Sequence, residues 1–366
     1  MNRPRIPLLV PDLPRHAELA PFLAAIDEER WYTNFGPLVR RFENEIPANF
    51  GEPAPYVVTT ANGTLALEIA LSALKLPQGA RVLIPALTFV ATASAIVRTG
   101  FVPVFAEIDS RAWVLTPEIA CDVLRRERFD CVVPVAAFGC PLPAVEWDGF
   151  SLETGIPVLI DAAGAFGNQK VGDHIALAFS LHATKAFGVG EGGLVVSRDA
   201  ALIDRVRRLS NFGIDTSTGL APDIGSNAKM SEFHAAVGLA ALKRWPERSR
   251  LRRQLHGLYC AELSRQCPAI SLQARPENGV YTILQVALPG GVNRDRLAAA
   301  LATQGIETRA WYLPLVPDHP AYAALATGEL TVTRALGSRL IGLPFHLDLS
   351  AQAIAYICSE LAKALA

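Results

Sequence analysis

Short apolar runs alternate with helix-like segments through the first two-thirds of the chain, and this alternation constrains the fold more than any other feature. The runs are nearly continuous Val, Ile, Leu and Ala, which is typical of strands in a sheet with helices on both faces. The predicted strands span 56–60, 81–84, 102–105, 131–135, 158–160, 175–180 and 194–197, and the predicted helices span 64–74, 88–98, 117–126 and 200–209. The repeated strand–helix order predicts an α/β fold, with a three-layer domain around a mostly parallel, seven-stranded sheet.

The last third of the chain mixes predicted helices and strands without the regular alternation. We predict a helix over 231–244, an interruption at Pro246, an amphipathic helix over 247–265, strands over 281–286 and 306–309, and helices over 295–304 and 351–364. A chain of 366 residues also exceeds one ordinary hydrophobic core. We therefore expect a large domain over 1–245, including an N-terminal arm, and a smaller α+β domain over 246–366.

Composition excludes several classes of protein. The net charge is −1 and no Lys/Arg tract is present, whereas nucleic-acid binders carry a basic stripe. No apolar run reaches the roughly 18 residues that a membrane span needs. Proline interrupts the N-terminal segment, so we expect no signal peptide or other leader. The six cysteines include no C-x-x-C pair, so neither a metal site nor a disulfide framework is predicted. We expect a soluble cytoplasmic protein.

Lys185 lies between two predicted strands and precedes a glycine-rich turn. Most lysines are solvated surface residues. Burial at a strand end would instead lower the lysine pKa and make its amine nucleophilic. The same turn matches a dinucleotide-binding pattern at Gly188, Gly190 and Gly193. That motif must open a helix, but a strand is predicted to follow, so a Rossmann dehydrogenase is rejected.

Three other turns carry candidate residues. Asp161 directly follows a predicted strand, and it either caps a helix or holds a proton on a pyridine nitrogen. Asn62-Gly63-Thr64 starts a helix, where free N–H groups and a hydroxyl can cradle a phosphate or merely cap the helix. Phe89, near the next helix start, is either core or a face for a flat ring.

These four turns should converge, because the carboxyl ends of parallel strands share one edge of a sheet. They would bring together an amine, a carboxylate, an aromatic face and a phosphate cradle. Pyridoxal 5′-phosphate (PLP) needs all four. The sequence therefore predicts a PLP site with Lys185 carrying the cofactor as a Schiff base.

The same residues resemble the DegT/StrS-like sugar aminotransferases. The matching motifs are Asn62-Gly63-Thr64, Pro85-x-x-Thr88-Phe89-x-Ala91-Thr92, Asp161-Ala-Ala, Ser180-x-His182-x-x-Lys185, Gly190-Glu-Gly-Gly, Asn227-x-Lys229-Met230-Ser231-Glu232 and Trp31-x-Thr33-x-x-Gly36-Pro37. They occur in order from about Trp31 to the Leu343-Pro344 region, which is nearly the whole chain. The resemblance implies an aspartate-aminotransferase-like fold and a homodimer with shared active sites.

The resemblance also implies roles for individual residues. Lys185 is the catalytic base and acid, Asp161 pairs with the pyridine nitrogen, and Phe89 stacks on the ring. The phosphate and cofactor set implied is Asn62, Gly63, Thr64, Ser180, His182 and, from the partner subunit, Asn227. Segments that line the sugar site in relatives contain Thr33, Lys229, Tyr312 and His319.

One position departs from the family pattern. Relatives usually place His or Gln three residues after the aspartate, touching the ring hydroxyl of the cofactor, but this chain has Gly164 there. A water or another side chain, with His182 the nearest by sequence, would have to replace that contact. Some dehydratases of this family have His at the lysine position, so Lys185 favours transamination.

The predicted function is a ping-pong transfer of an amino group from L-glutamate to a nucleotide-linked keto sugar, a 4-keto-6-deoxyhexose. Several alternatives remain open at this point. Other enzymes on the same scaffold would aminate the 3-keto position, a cyclitol or an aromatic precursor, or would act as a PLP-dependent dehydratase or lyase. The remaining two alternatives are a non-catalytic PLP sensor and an α/β protein that does not use PLP.

Overall fold

The structure is a computed structural model that describes residues 5–325 and 329–366. Residues 1–4, on which the expected absence of a leader partly rests, lie outside the described residues. The helices are α1 (His16–Glu29), α2 (Pro37–Glu45), α3 (Gly63–Ala73), α4 (Val90–Arg98), α5 (Pro117–Leu124), α6 (Ala144–Thr154), α7 (Ala200–Ser210), α8 (Glu232–Gln266), α9 (Arg294–Thr303), α10 (Thr331–Gly337) and α11 (Ala351–Leu365). The strands are β1 (Tyr56–Thr60), β2 (Arg81–Pro85), β3 (Val102–Ala106), β4 (Cys131–Val132), β5 (Leu159–Asp161), β6 (Ala176–Ser180), β7 (Gly193–Ser197), β8 (Ser271–Leu272), β9 (Leu284–Ala287) and β10 (Leu340–Leu343).

The seven strands β1 to β7 confirm an α/β fold but form two sheets. One has the order β1-β7-β6-β5 and the other the order β3-β2-β4. The predicted single, mostly parallel seven-stranded sheet is therefore not confirmed in that form. Strand β7 is antiparallel to both neighbours: the glycine-rich connection over 181–192 contains no helix, whereas a parallel partner usually needs a helical crossover.

The strand directions nevertheless bring the predicted turns to one edge. Strands β1 and β6 both run antiparallel to β7, so they run parallel to each other. Strand β5 is parallel to β6, and isolated parallel bridges join Val132 to Val158 and Val135 to Asp161. The carboxyl ends of β1, β2, β5 and β6 therefore point the same way, as a shared ligand site requires.

Two predictions for the C-terminal region are wrong. Helix α8 is continuous for 35 residues and passes through Pro246, so the predicted interruption is wrong. A mid-helix proline costs roughly 3 kcal/mol, and we attribute its tolerance to packing of α8 against α1, α2 and α11. The predicted strand over 306–309 is also wrong: Ile306 and Arg309 make only isolated bridges.

Three clusters of buried apolar residues hold these elements together. The two larger clusters lie around β1 to β7. The third includes residues of β9, β10, α9, α11 and the C-terminal half of α8. In the part of the chain that the structure describes, no helix is long and apolar enough to cross a membrane.

A buried carboxylate joins α8 to the N-terminal helices. Glu232, at the first position of α8, is only 1% exposed. Its two oxygens accept hydrogen bonds from the backbone N–H groups of Leu38 (2.7 Å) and Val39 (2.9 Å) at the start of α2. Those N–H groups have no partner within their own helix, so Glu232 serves as a cap supplied from elsewhere in the chain.

We expect Glu232→Ala to lower the free energy of unfolding by about 2–4 kcal/mol, because it leaves two buried donors unsatisfied. Urea denaturation monitored by circular dichroism measures this loss. Glu247→Ala, on the exposed surface of the same helix, is the matched control and should change stability little. Equal stability of the two variants would contradict the capping role.

Candidate active site

A cavity of about 830 Å³ opens at the edge where the strand ends converge. Its lining includes nine of the residues predicted from sequence: Asn62, Gly63, Thr64, Phe89, Asp161, Ser180, His182, Lys185 and Tyr312. They come from segments far apart in the chain, so the cavity is a product of the sheet topology. A larger cleft of about 1050 Å³ lies elsewhere and contains no lysine.

Lys185 lies in the turn between β6 and β7, and its backbone N–H donates to the His182 carbonyl oxygen. Burial lowers the pKa of Lys185 below its usual 10.5, and the nearby Asp161 carboxylate partly offsets that shift. Part of the side chain stays accessible, because it faces the cavity. An accessible amine with a lowered pKa is suited to attack a carbonyl carbon.

Asp161 is the last residue of β5 and is 5% exposed. One carboxylate oxygen accepts a hydrogen bond from the Thr92 hydroxyl at 2.7 Å, and the other accepts one from the Ala163 N–H at 3.1 Å. Burial raises the pKa of Asp161, whereas these two hydrogen bonds and the charge of Lys185 lower it. The carboxylate is thus held in a fixed orientation within the cavity.

The opposite end of the cavity is the N-terminus of α3. Asn62 caps this helix, its side-chain oxygen accepting from the Leu65 N–H at 2.9 Å. A Cβ atom built on Gly63 would lie 2.7 Å from the Cβ of Ser180, so only glycine permits this approach. The Ser180 and Thr64 side chains and the free N–H groups of the helix start therefore lie together, an arrangement suited to a phosphate.

Phe89 is a large apolar residue that remains 54% exposed while lining the cavity. Its ring centroid lies 6.1 Å from that of Tyr312, with the planes at 52°. The ring is therefore available to a flat ligand.

His182 lies at the rim and already has partners. Its Nδ1 is 2.9 Å from the Thr184 hydroxyl, and its Nε2 is 3.6 Å from the Glu191 carboxylate. It lines the same cavity as Lys185 and Asp161, and these two neighbours orient its ring.

Four predicted residues lie outside the cavity lining of this one chain: Thr33, Asn227, Lys229 and His319. The exposed Asn227 accepts a hydrogen bond from the Lys229 ammonium at 2.7 Å. Lys229 is 8% exposed and lies 4.5 Å from the centre of the Phe212 ring. Thr33 is exposed and His319 is half-buried.

Sequence reasoning missed other residues of the site. The Thr92 hydroxyl also pairs with that of Thr88 at 2.8 Å, extending the hydrogen-bond chain that ends on Asp161. The four-residue spacing of these threonines at a helix start was a usable signal. Arg309 and Trp311 also line the cavity, and no local pattern in their segment indicated this.

The residues present fit PLP. A nucleophilic lysine, an oriented carboxylate, an exposed aromatic face and a helix N-terminus with two hydroxyl side chains line the same cavity. This set can hold a phosphate, keep a proton on a ring nitrogen and bind a carbonyl carbon covalently.

Comparison with known proteins identifies a matching family, similar sequences and similar structures. The sequence model described as the DegT/DnrJ/EryC1/StrS aminotransferase family matches residues 15–362. The Mycobacterium bovis protein Mb3436c is 32% identical over 377 residues, covering 99% of this chain and 90% of that protein. The dTDP-4-amino-4,6-dideoxy-D-glucose transaminase of Shigella dysenteriae is 31% identical, covering 96% of each. The crystal structure of DesI with its TDP-sugar product superimposes with a TM-score of 0.89 at 31% identity, covering 99% of this chain and 94% of that one.

Proposed function

This chain belongs to the DegT/DnrJ/EryC1/StrS aminotransferase family and is PLP-dependent, and we propose that it transfers the amino group of L-glutamate to a nucleotide-linked keto sugar. The observation that carries the proposal is the single cavity shared by Lys185, Asp161 and Phe89. The two half-reactions would follow a ping-pong order in one site.

When bound, PLP supplies an electron sink conjugated to the carbon that loses its proton. We assign Lys185 to attach the cofactor and then to carry the proton to and from that carbon. Asp161 keeps the ring nitrogen protonated, since an adjacent carboxylate favours the charged form. Phe89 orients the ring, and the start of α3 with Ser180 binds the phosphate. We assign His182, which lines the cavity, to cofactor binding.

The position of Arg309 supports the assignment of an amino donor that carries a carboxylate. Its guanidinium lies at the cavity edge, 4.3 Å from the centre of the Trp311 ring. The other arginine of the lining, Arg98, is paired with Glu68 at 2.8 Å. Arg309 has no carboxylate partner among the described residues. A guanidinium in this position can bind the planar carboxylate of L-glutamate.

The relatives support a sugar acceptor. The Shigella relative is named for a 4-amino-4,6-dideoxy sugar on dTDP, whose keto precursor is a 4-keto-6-deoxyhexose. We propose that Thr33, Lys229, Tyr312 and His319 contribute to binding it. Of these four, Tyr312 lines the cavity within this chain.

A homodimer would complete the site. Asn227 is exposed beside Lys229, outside the cavity of its own chain, so in this proposal it reaches the phosphate of a partner subunit. Large apolar side chains are exposed around the same region: Trp31, Tyr32, Tyr56, Phe212 and Phe233. Tyr32 and Phe233 stack with ring centroids 6.2 Å apart, which forms a surface suited to a second copy.

We also propose a domain division and a cellular location for this enzyme. We propose a domain boundary near 245–246, within α8, because the C-terminal half of α8 joins a separate apolar cluster. The isolated parallel bridges between the β4 and β5 regions support our proposal that β1 to β7 form a single layer. We propose a cytoplasmic enzyme, where amino donors and nucleotide sugars are available.

Lys185→Ala should abolish turnover, with a loss of at least about a hundredfold, because the proton carrier is removed. The long-wavelength absorbance of the bound cofactor should disappear as well. Steady-state kinetics and absorbance spectra measure both effects. Lys170→Ala, an exposed lysine nearby in sequence, is the control and should keep both. Near-normal turnover in the Lys185 variant would refute the assignment.

The acceptor is tested by incubating the enzyme with L-glutamate and a panel of nucleotide-linked keto sugars. We expect 2-oxoglutarate and aminated sugar to form in equal amounts, measured by coupled assay and mass spectrometry. Loss of sugar without 2-oxoglutarate would indicate a dehydratase or lyase instead. Amination of a cyclitol but of no nucleotide sugar would also contradict the proposal.

A further inference from the structure

Gly164 leaves one wall of the cavity without a side chain. It lies three residues after Asp161, at the position where the family resemblance implies a His or Gln that contacts the ring hydroxyl. A Cβ atom built on Gly164 would lie 3.4 Å from the nearest atom, the Gly139 nitrogen, which is an ordinary contact. Steric crowding therefore does not require a glycine here, and the missing polar group must come from elsewhere or be absent.

The backbone of Gly164 packs against a turn that carries an aromatic stack. Gly139, in that turn, has a positive φ of +83°, and a Cβ on it would lie 2.8 Å from the Gly164 carbonyl oxygen. Phe138 precedes it, also with a positive φ (57°). Its ring stacks on that of Tyr312 at 5.0 Å with the planes at 9°. The turn is also tied to the Asp161 carbonyl oxygen by the Ala136 N–H (2.9 Å).

This arrangement places the Tyr312 ring beside the wall that Gly164 leaves bare. Both residues line the cavity together with Asp161. Phe138 stacks on the Tyr312 ring and Phe89 contacts it at a tilt, so the two rings limit where the phenol can move. Burial raises the pKa of Tyr312, and the nearby Asp161 carboxylate raises it further, so the phenol is a protonated donor at neutral pH.

His182, the replacement favoured by sequence proximity, is less suitable. Its two ring nitrogens face Thr184 and Glu191 at 2.9 and 3.6 Å. Using it at the ring hydroxyl would require breaking one of these contacts. The Tyr312 phenol oxygen accepts a backbone hydrogen bond at Phe138, which leaves its O–H free to donate.

We propose that Tyr312 replaces the polar side chain missing at Gly164, its phenol donating a hydrogen bond to the ring hydroxyl oxygen of PLP. The inference rests on the cofactor site of the proposed function but on neither substrate. It gives Tyr312 a contact with the cofactor in addition to the sugar-binding role proposed above.

The expected effect follows from the charge on that oxygen. A donated hydrogen bond stabilises the ionised form of an acceptor. Removing the donor should therefore favour the protonated form of the bound cofactor and raise the midpoint pH of its absorbance transition. For a hydrogen bond to a charged group we expect a rise of about one unit.

The experiment is a pH titration of cofactor absorbance in the Tyr312→Phe holoenzyme. We expect a midpoint about one unit above that of the unmodified protein. The double variant Tyr312→Phe with Gly164→Gln should return the midpoint toward the original value, because the amide can donate to the same oxygen. Tyr322→Phe, whose hydroxyl pairs with Ser94 at 2.7 Å outside the cavity lining, is the control.

An unchanged midpoint in Tyr312→Phe, with only the affinity for the sugar reduced, would overturn the inference. If the variant does not fold, Gly164→Gln alone tests the geometry in a chain that keeps Tyr312. Because Tyr312 already donates to that oxygen, the midpoint should change by much less than one unit, and a fall of about one unit would reveal an unsatisfied oxygen and overturn the inference. These titrations need no substrate, so failure of the proposed sugar would leave their outcome unaffected.

Discussion

The structure depends on two buried groups of opposite charge that share one cavity. Burial lowers the pKa of Lys185 and raises that of Asp161, and each charge opposes the shift of the other. Burying either ion alone would be costly, whereas a partner and fixed hydrogen bonds reduce that cost. The Thr92 hydroxyl supplies such a bond to Asp161. The Lys185 and Asp161 side chains can therefore remain charged and keep a fixed orientation, although the sheet around them is mostly apolar.

The sheet topology converts this pair into a cofactor site. Because β1, β5 and β6 end at one edge, the start of α3 and the turn after β6 are brought to the same cavity as Asp161. Gly63 permits the close approach of α3 to Ser180, and Phe89 is left exposed in the same cavity as the charged pair. In the proposed function each group performs a different task on one small ligand, so all of them must lie at one edge of the sheet.

The strands and the residues at their ends could be predicted because local patterns encode them. Continuous apolar runs locate buried strands, and a polar residue directly after such a run, like Asp161, stands out. Pairing between strands is not local, so the split into two sheets and the direction of β7 were not predicted in full. The continuity of α8 through Pro246 depends on packing by distant helices, and Arg309 joins the site through tertiary structure alone.

The proposed function depends most on covalent attachment of the cofactor to Lys185, in the turn between β6 and β7. Borohydride reduction of the PLP-loaded protein, followed by proteolysis and mass spectrometry, tests this attachment. We expect one modified peptide, with the pyridoxyl group on Lys185. Modification of a different lysine, such as Lys229, or the absence of any modified peptide would contradict it.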